Sequence, residues 1–328
     1  MKFATLPNGT EDGALLVVSR DLTRAAPATD IAPSLLAALR DWPRVEPLLR
    51  ERAGQVEAGN AQGLVPFAPE DTLAPLPRAP QWLDGSAFLN HGRLMDQAFG
   101  NEPLPDFDTH PLVYQGASDD FLGSNAVLLT PDEALGIDCE GEFGVVVDEV
   151  PMGTNPQDAL DLVRLIVQIN DWSLRVPGPW EMRRGFGFVQ AKPSTGFAPC
   201  AVTPDELGQY WQAGRVCLPL QVAVNGRQIG TPHGSEMDFH FGQIIAHAAR
   251  TRKLGAGSII GSGTVSNAAR AAGSACLAEV RVIEKLDFGA PQTPFLHFGD
   301  RVTMEATLPD GRLFGKINQR VRQLASGQ

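Results

Sequence analysis

Asp138-Cys139-Glu140-Gly141-Glu142-Phe143-Gly144-Val145-Val146-Val147 is the stretch on which the reading of this chain turns. Its second half is rich in β-branched residues, the mark of a strand. Its first half sets two glutamates two residues apart. A strand beginning at Glu140 turns both side chains to one face, about 7 Å apart along the strand. Carboxylates so placed repel each other unless a cation lies between them. Ligands that are all oxygen suit Mg²⁺, Mn²⁺ or Ca²⁺ better than zinc. Taken alone the pattern is common, and solvated glutamates at an exposed strand start explain it better.

Outward from this strand the chain reads as β-rich. Leu220–Val224, Asn225-Gly226 and Arg227–Ile229 form a hairpin with a two-residue turn. Phe143–Val147, Ser258–Ile260, Leu277–Ile283 and Arg301–Leu308 are further strands by their composition. Two helices are expected. One starts at Asn155-Pro156 and carries Leu162, Leu165, Ile166 and Ile169 on one face. The other runs from Asp238 to Leu254, with Phe241, Ile244, Ile245 and Ala248 at helical spacing and Gly255 as its stop. Strand and helix do not alternate, so a doubly wound sheet is excluded. The reading is a mixed, β-rich α+β fold.

Upstream, Leu64–Gln81 holds five prolines between Pro66 and Pro80 and reads as an extended linker. It divides the chain into a small N-terminal α+β unit, residues 1–75, and a larger one, residues 76–328. In the small unit, strands at 2–6, 14–18 and 22–25 are separated by Asn8-Gly9 and Asp12-Gly13 turns. A helix from Ser34 to about Leu49 follows.

Composition limits the function. The 328 residues carry 27 basic and 38 acidic side chains, a net charge of −11, which disfavours nucleic acid and anionic membrane as partners. No apolar run reaches the length of a membrane span, and the N-terminus lacks a signal-peptide pattern, so a cytoplasmic location is expected. Cys139, Cys200, Cys217 and Cys276 form no CxxC pair; free thiols are expected, with no readable zinc or redox motif.

Four further segments carry polar groups of catalytic type. Asn170-Asp171-Trp172-Ser173-Leu174-Arg175 lies at the end of the expected first helix. Asp171 there is a candidate third metal ligand, and Arg175 a fork for a carboxylate. Trp82–His91 offers His91 as a general base. Phe188–Pro199 places Lys192 among apolar residues, a candidate for oxyanion stabilisation. Gly261-Ser262-Gly263-Thr264 follows a strand but lacks the Gly-Lys-Ser/Thr ending of a phosphate loop. Each segment alone has an ordinary structural explanation.

Their order in one chain is more specific. Asp84 to His91, Glu140-x-Glu142, Asn170-Asp171-x-Ser173-x-Arg175, Lys192 and Gly263-Thr264 together resemble the fumarylacetoacetate hydrolase family over about residues 80–320. The first 75 residues resemble the extra domain of its longer bacterial members. The resemblance implies a mixed β-sandwich roll, usually a homodimer. It implies a divalent cation (Mg²⁺, Mn²⁺ or Ca²⁺) on Asp84, Glu140, Glu142 and Asp171. By position His91 matches the general base, Glu279 the glutamate orienting it, and Lys192 a catalytic lysine. Arg175, Tyr114 and Thr264 match substrate-binding positions. Phe88 stands where many relatives have tyrosine, and Gly178 where fumarylacetoacetases have glutamine, so the substrate is left open.

The implied activity is metal-dependent hydrolysis of a carbon–carbon bond in a 2,4-dioxo or 3,5-dioxo acid, as in aromatic-compound and tyrosine breakdown. The alternatives are a decarboxylase or hydratase of a 2-oxo acid, and, third, a small-ligand-binding protein without catalysis.

Overall fold

The computed structural model describes every residue except 101, 103, 310 and 326–328, the last three closing the expected 76–328 unit. Two sheets dominate. The larger has eleven strands, in the order 65–66, 24–27, 14–18, 2–6, 201–202, 163–170, 141–147, 259–261, 82–85 and 113–116, with 196–197 also paired to 163–170. The smaller runs 227–230, 221–224, 301–305, 317–323 and 127–130. Both are mixed, since 259–261 runs parallel to 82–85 and 317–323 parallel to 127–130. The N-terminal strands therefore continue the sheet that carries the rest of the chain, through the pairing of Lys2 with Val202.

Side-chain alternation along the central strands divides the core. Val145, Val147 and Ile166 pack in one cluster with Val222, Val302, Met304 and Ile317 of the smaller sheet. Val146, Leu165, Val167 and Ile169 point the other way and pack with Leu35, Leu39, Trp42 and Leu49 of the N-terminal helices. The result is a helix layer, a large sheet and a small sheet, the β-rich mixed fold expected. Among the described residues no helix is long and apolar enough to cross a membrane. The four cysteines are free; Cys139, Cys200 and Cys276 are buried and Cys217 partly so.

Several expected elements are corrected. The helix through Leu162–Ile169 does not form. A single short turn of helix, Pro156–Leu160, is followed by the strand Val163–Asn170. That strand is buried on both faces, and a both-sided apolar run fits a helical spacing by accident. Asn170–Arg175 thus leaves a strand, not a helix. Conversely Leu277–Ile283, expected as a strand, opens the helix Leu277–Phe288. Cys276 caps its start, accepting the Glu279 N–H, and Gly289 in the left-handed region ends it. The Ser34 helix is split by Asp41 into Leu35–Arg40 and Trp42–Ala58, and so runs nine residues beyond Leu49. Pro43, which has no N–H to offer, falls in the first turn of the second piece, where none is needed. The Asp238–Leu254 helix shortens to Phe241–Ala248, with Gln243 Oε1 accepting the His240 N–H at 2.9 Å at its start. The strand at 22–25 shifts to Arg24–Pro27, with Leu22 at positive φ in the turn before it. The strand after Glu140 begins at Gly141, and Glu140 makes a lone bridge to Cys276.

Candidate active site

Three of four neighbouring strands deliver the acidic groups, Asp171 from just past the end of its own. Asp84 is the penultimate residue of the strand Trp82–Gly85, which lies beside Ile259–Gly261, itself paired with Gly141–Val147, which pairs in turn with Val163–Asn170. The register sets Asp84 opposite Gly261 and Glu142 opposite Ile169, and Asp171 follows directly after the last strand. Oxygens of Asp84, Glu142 and Asp171 lie within 4.8 Å of one another, and all three residues are buried. Gly261 makes room for this arrangement, since a Cβ there would meet Asp84 Oδ1 at 2.3 Å. Asp84 Oδ1 accepts the Gly263 N–H at 3.0 Å, while neither Glu142 oxygen has a hydrogen-bond donor among the described residues. Burial, with Asp171 close by, pushes the Asp84 carboxyl well above its ordinary range; burial and Asp84 do the same to Glu142.

Cations occupy the other side. Lys192 Nζ lies 2.7 Å from Glu140 Oε2, 2.6 Å from Asp171 Oδ2 and 2.9 Å from Ser173 Oγ. Burial alone would lower the lysine; Asp171 and Glu140 outweigh it and hold the ammonium charged. Arg175 reaches Glu140 Oε1 at 2.6 Å and Asp138 Oδ2 at 2.8 Å. Burial would raise Glu140, but Arg175 and Lys192 prevail and keep it ionised. Both Glu140 oxygens are thus engaged with cationic side chains, which sets Glu140 apart from the three-carboxylate group. Tyr114 donates to Asp171 Oδ2 at 2.5 Å, Thr195 donates to Asp171 Oδ1 at 2.8 Å, and burial near Asp171 keeps the phenol protonated.

His91 stands in the helix Leu89–Phe99, and its Nδ1 lies 2.9 Å from Glu279 Oε2 on the helix Leu277–Phe288. Thr264 is buried in the loop after Gly263. Two sizeable cavities, of about 310 and 140 Å³, are lined by none of the acidic groups above.

Three residues without an assigned role in the sequence reading take part. Asp138 pairs with Arg175, and Thr195 with Asp171; both fall inside the segments quoted above. Gln319 accepts from Asn170 and Trp172 beneath Asp171, and lies in a strand with no local signal of function.

The donor set suits a hard divalent cation. Three buried carboxylates converge, the group they form holds only oxygen donors among the described residues, and both Glu142 oxygens are without a hydrogen-bond partner there. The class this defines is a sheet-borne carboxylate site with a histidine–glutamate pair and a buried lysine. The chain belongs to the fumarylacetoacetate (FAA) hydrolase family. Residues 81–322 match the family's C-terminal domain, and residues 1–78 match the fumarylacetoacetase N-terminal domain 2.

A 2,4-didehydro-3-deoxy-L-rhamnonate hydrolase from Sphingomonas sp. (strain SKA58) is 29% identical over 167 residues, 50% of this chain and 55% of that protein. The chain thus matches little more than half the length of that curated relative. Two solved structures share the fold over 99% of this chain and 100% of their own. One is maleylpyruvate hydrolase from Sphingobium sp. SYK-6 in complex with manganese (II) ion and pyruvate, 16% identical with a TM-score of 0.65. The other is 2-hydroxyhepta-2,4-diene-1,7-dioate isomerase from Mycobacterium marinum, 16% identical with a TM-score of 0.60.

Proposed function

We propose that this protein is a divalent-cation-dependent hydrolase that cleaves a carbon–carbon bond in a 2,4-dioxo or 3,5-dioxo acid of aromatic-compound catabolism. The observation that carries the reading is the pairing of two arrangements. Asp84, Glu142 and Asp171 form a buried carboxylate group, and His91 is fixed to Glu279 at 2.9 Å. Asp84, Glu142 and Asp171 would hold the cation, and Glu140 would complete its shell on displacement from Lys192 or Arg175. A bound Mg²⁺, Mn²⁺ or Ca²⁺ supplies charge that polarises a carbonyl oxygen and stabilises an enolate.

The remaining steps belong to the side chains. Glu279 accepts from His91 Nδ1–H, which leaves Nε2 as the base that takes a proton from water. The hydroxide adds to the substrate carbonyl carbon, and its oxyanion is met by the Lys192 ammonium. The bond to the neighbouring carbon then breaks, its electron pair leaves on that carbon as an enolate, and His91 returns the proton. Arg175 binds the substrate carboxylate, with Tyr114 and Thr264 beside it. Residues 1–75 serve as a supporting domain to the catalytic residues 76–328. A homodimer is proposed on the exposed apolar side chains Val176, Trp180, Met182, Phe186 and Val189.

A lyase or isomerase reaction is the second reading, favoured by the isomerase among the fold relatives. A screen of fumarylacetoacetate and acylpyruvates with Mg²⁺, Mn²⁺ or Ca²⁺ tests both. Two acid fragments support hydrolysis. Carbon dioxide or a double-bond isomer supports the second reading, and ligand binding without turnover supports a binding protein.

A further inference from the structure

Asp138 is fully buried, and all its recorded partners are donors. Its Oδ1 accepts the N–H groups of Cys139 and Leu277, both at 2.8 Å. Its Oδ2 accepts the Ala278 N–H at 2.8 Å and Arg175 Nε at 2.9 Å, with a second Arg175 nitrogen at 2.8 Å. Leu277 and Ala278 are the first two residues of the helix whose third residue, Glu279, holds His91. One carboxylate therefore grips the substrate-side arginine and the root of the helix behind the proposed base. It also lies two residues from Glu140, on the chain that leads into Glu142.

We infer that Asp138 is a positioning residue that keeps Arg175 and the Glu279–His91 pair in register with the carboxylate group. This rests on His91 being the base. The contacts call for a group that accepts on both of its polar atoms. The first N–H groups of a helix and a guanidinium are all donors, and an acceptor-only group with two oxygens satisfies them together. An amide in its place turns an NH₂ toward another donor on one side.

The test is a double-mutant cycle of Asp138→Asn with His91→Ala, using the dioxo acid that the screen shows to be turned over. Asp138→Asn should lower kcat by about 10–100-fold, the range for losing a group that orients a catalytic one. It should cost kcat less than about threefold when His91 is already alanine. KM should rise in Asp138→Asn, and that rise should disappear in an Arg175→Ala background. The Mn²⁺-induced rise in melting temperature should match the parent's. An equal loss of kcat with and without His91 overturns the positioning role while leaving the base in place. A parental kcat in Asp138→Asn overturns it too, and a parental rate for His91→Ala alone overturns both. Should Asp138→Asn fail to fold, Ala278→Pro removes one donor to Asp138 in the first helical turn, where proline is tolerated. The same cycle then applies, with the same outcomes.

Discussion

His91 Nδ1 and Glu279 Oε2 lie 2.9 Å apart although 188 residues separate them in the chain. The contact joins the helix Leu89–Phe99 to the helix Leu277–Phe288 and fixes which imidazole nitrogen faces away from the glutamate. Replacing His91 by alanine should lower kcat by about 10²–10⁴-fold, the usual range for a lost general base. Mn²⁺ affinity should be nearly unchanged, because imidazole is not proposed as a ligand. Steady-state kinetics and calorimetric Mn²⁺ titration check the two halves. A folded variant with parental kcat would place the base elsewhere.

Among the described residues Glu142 has no donor on either oxygen, so a buried carboxyl stands there without a hydrogen-bond partner. Glu142→Ala should leave the metal-free protein no less stable than the parent, since repulsion with Asp84 and Asp171 is relieved. It should also abolish most of the rise in melting temperature that Mg²⁺ or Mn²⁺ gives the parent. Thermal melts with and without EDTA measure both. Equal metal-induced shifts in the two proteins would remove Glu142 from the ligand set.

The sequence was legible where local chemistry was unambiguous. Asn225 and Gly226, both at positive φ, make the turn their identity announces, and Gly141–Val147 is a strand. It misled where tertiary context decided. Val163–Asn170 lies between two other strands with both faces covered, so no alternation of polar and apolar marks it. Leu277–Ile283 alternates like a strand, yet the Cys276 cap and the Asp138 carboxylate at its first N–H groups make it a helix. The candidate site followed the same divide. Asp84, Glu142, Asp171, His91 and Lys192 could be picked out by order along the chain. Their distances depend on pairings across Gly261 and between distant helices, and Gln319 carried no signal.

Glu181 fastens the segment that leads into Lys192. Its carboxylate accepts the N–H groups of Val189, Gln190 and Ala191 at 2.9–3.2 Å. Burial would raise this carboxyl, but the three backbone donors outweigh it and hold it below its ordinary value of 4.5. A depressed carboxylate stabilises the fold above its unfolded value and loses that contribution as pH falls through the folded one. Glu181→Gln should therefore cost on the order of 1.5–3 kcal/mol at pH 7, the range for hydrogen bonds to a charged group. The difference from the parent should shrink as pH drops below 4.5. Urea unfolding of both proteins across that range reads it directly. A gap that stays constant with pH would mean that the ionised form is not what holds the segment.

Gln319 is fully buried beneath the residues that flank Asp171. Its Oε1 accepts from Asn170 Nδ2 at 3.0 Å and from Trp172 Nε1 at 2.9 Å, and its Nε2 donates to the Gly123 carbonyl at 2.8 Å. Asn170 in turn accepts the Glu140 N–H at 3.2 Å, so the network reaches from the small sheet to two proposed ligand positions. Leucine is similar in size to glutamine but offers neither acceptor nor donor. Gln319→Leu leaves the Asn170 Nδ2 and Trp172 Nε1 donors without the acceptor they share, while the Gly123 carbonyl keeps the Ala126 N–H at 3.1 Å, and should cost about 2–5 kcal/mol. Because Asp171 lies between Asn170 and Trp172, the variant should also gain less melting temperature on adding Mn²⁺. Denaturant unfolding and Mn²⁺ melts test these effects together. Loss of stability with a parental Mn²⁺ shift would confine Gln319 to the core, and parental values in both would show that the network does not hold Asp171.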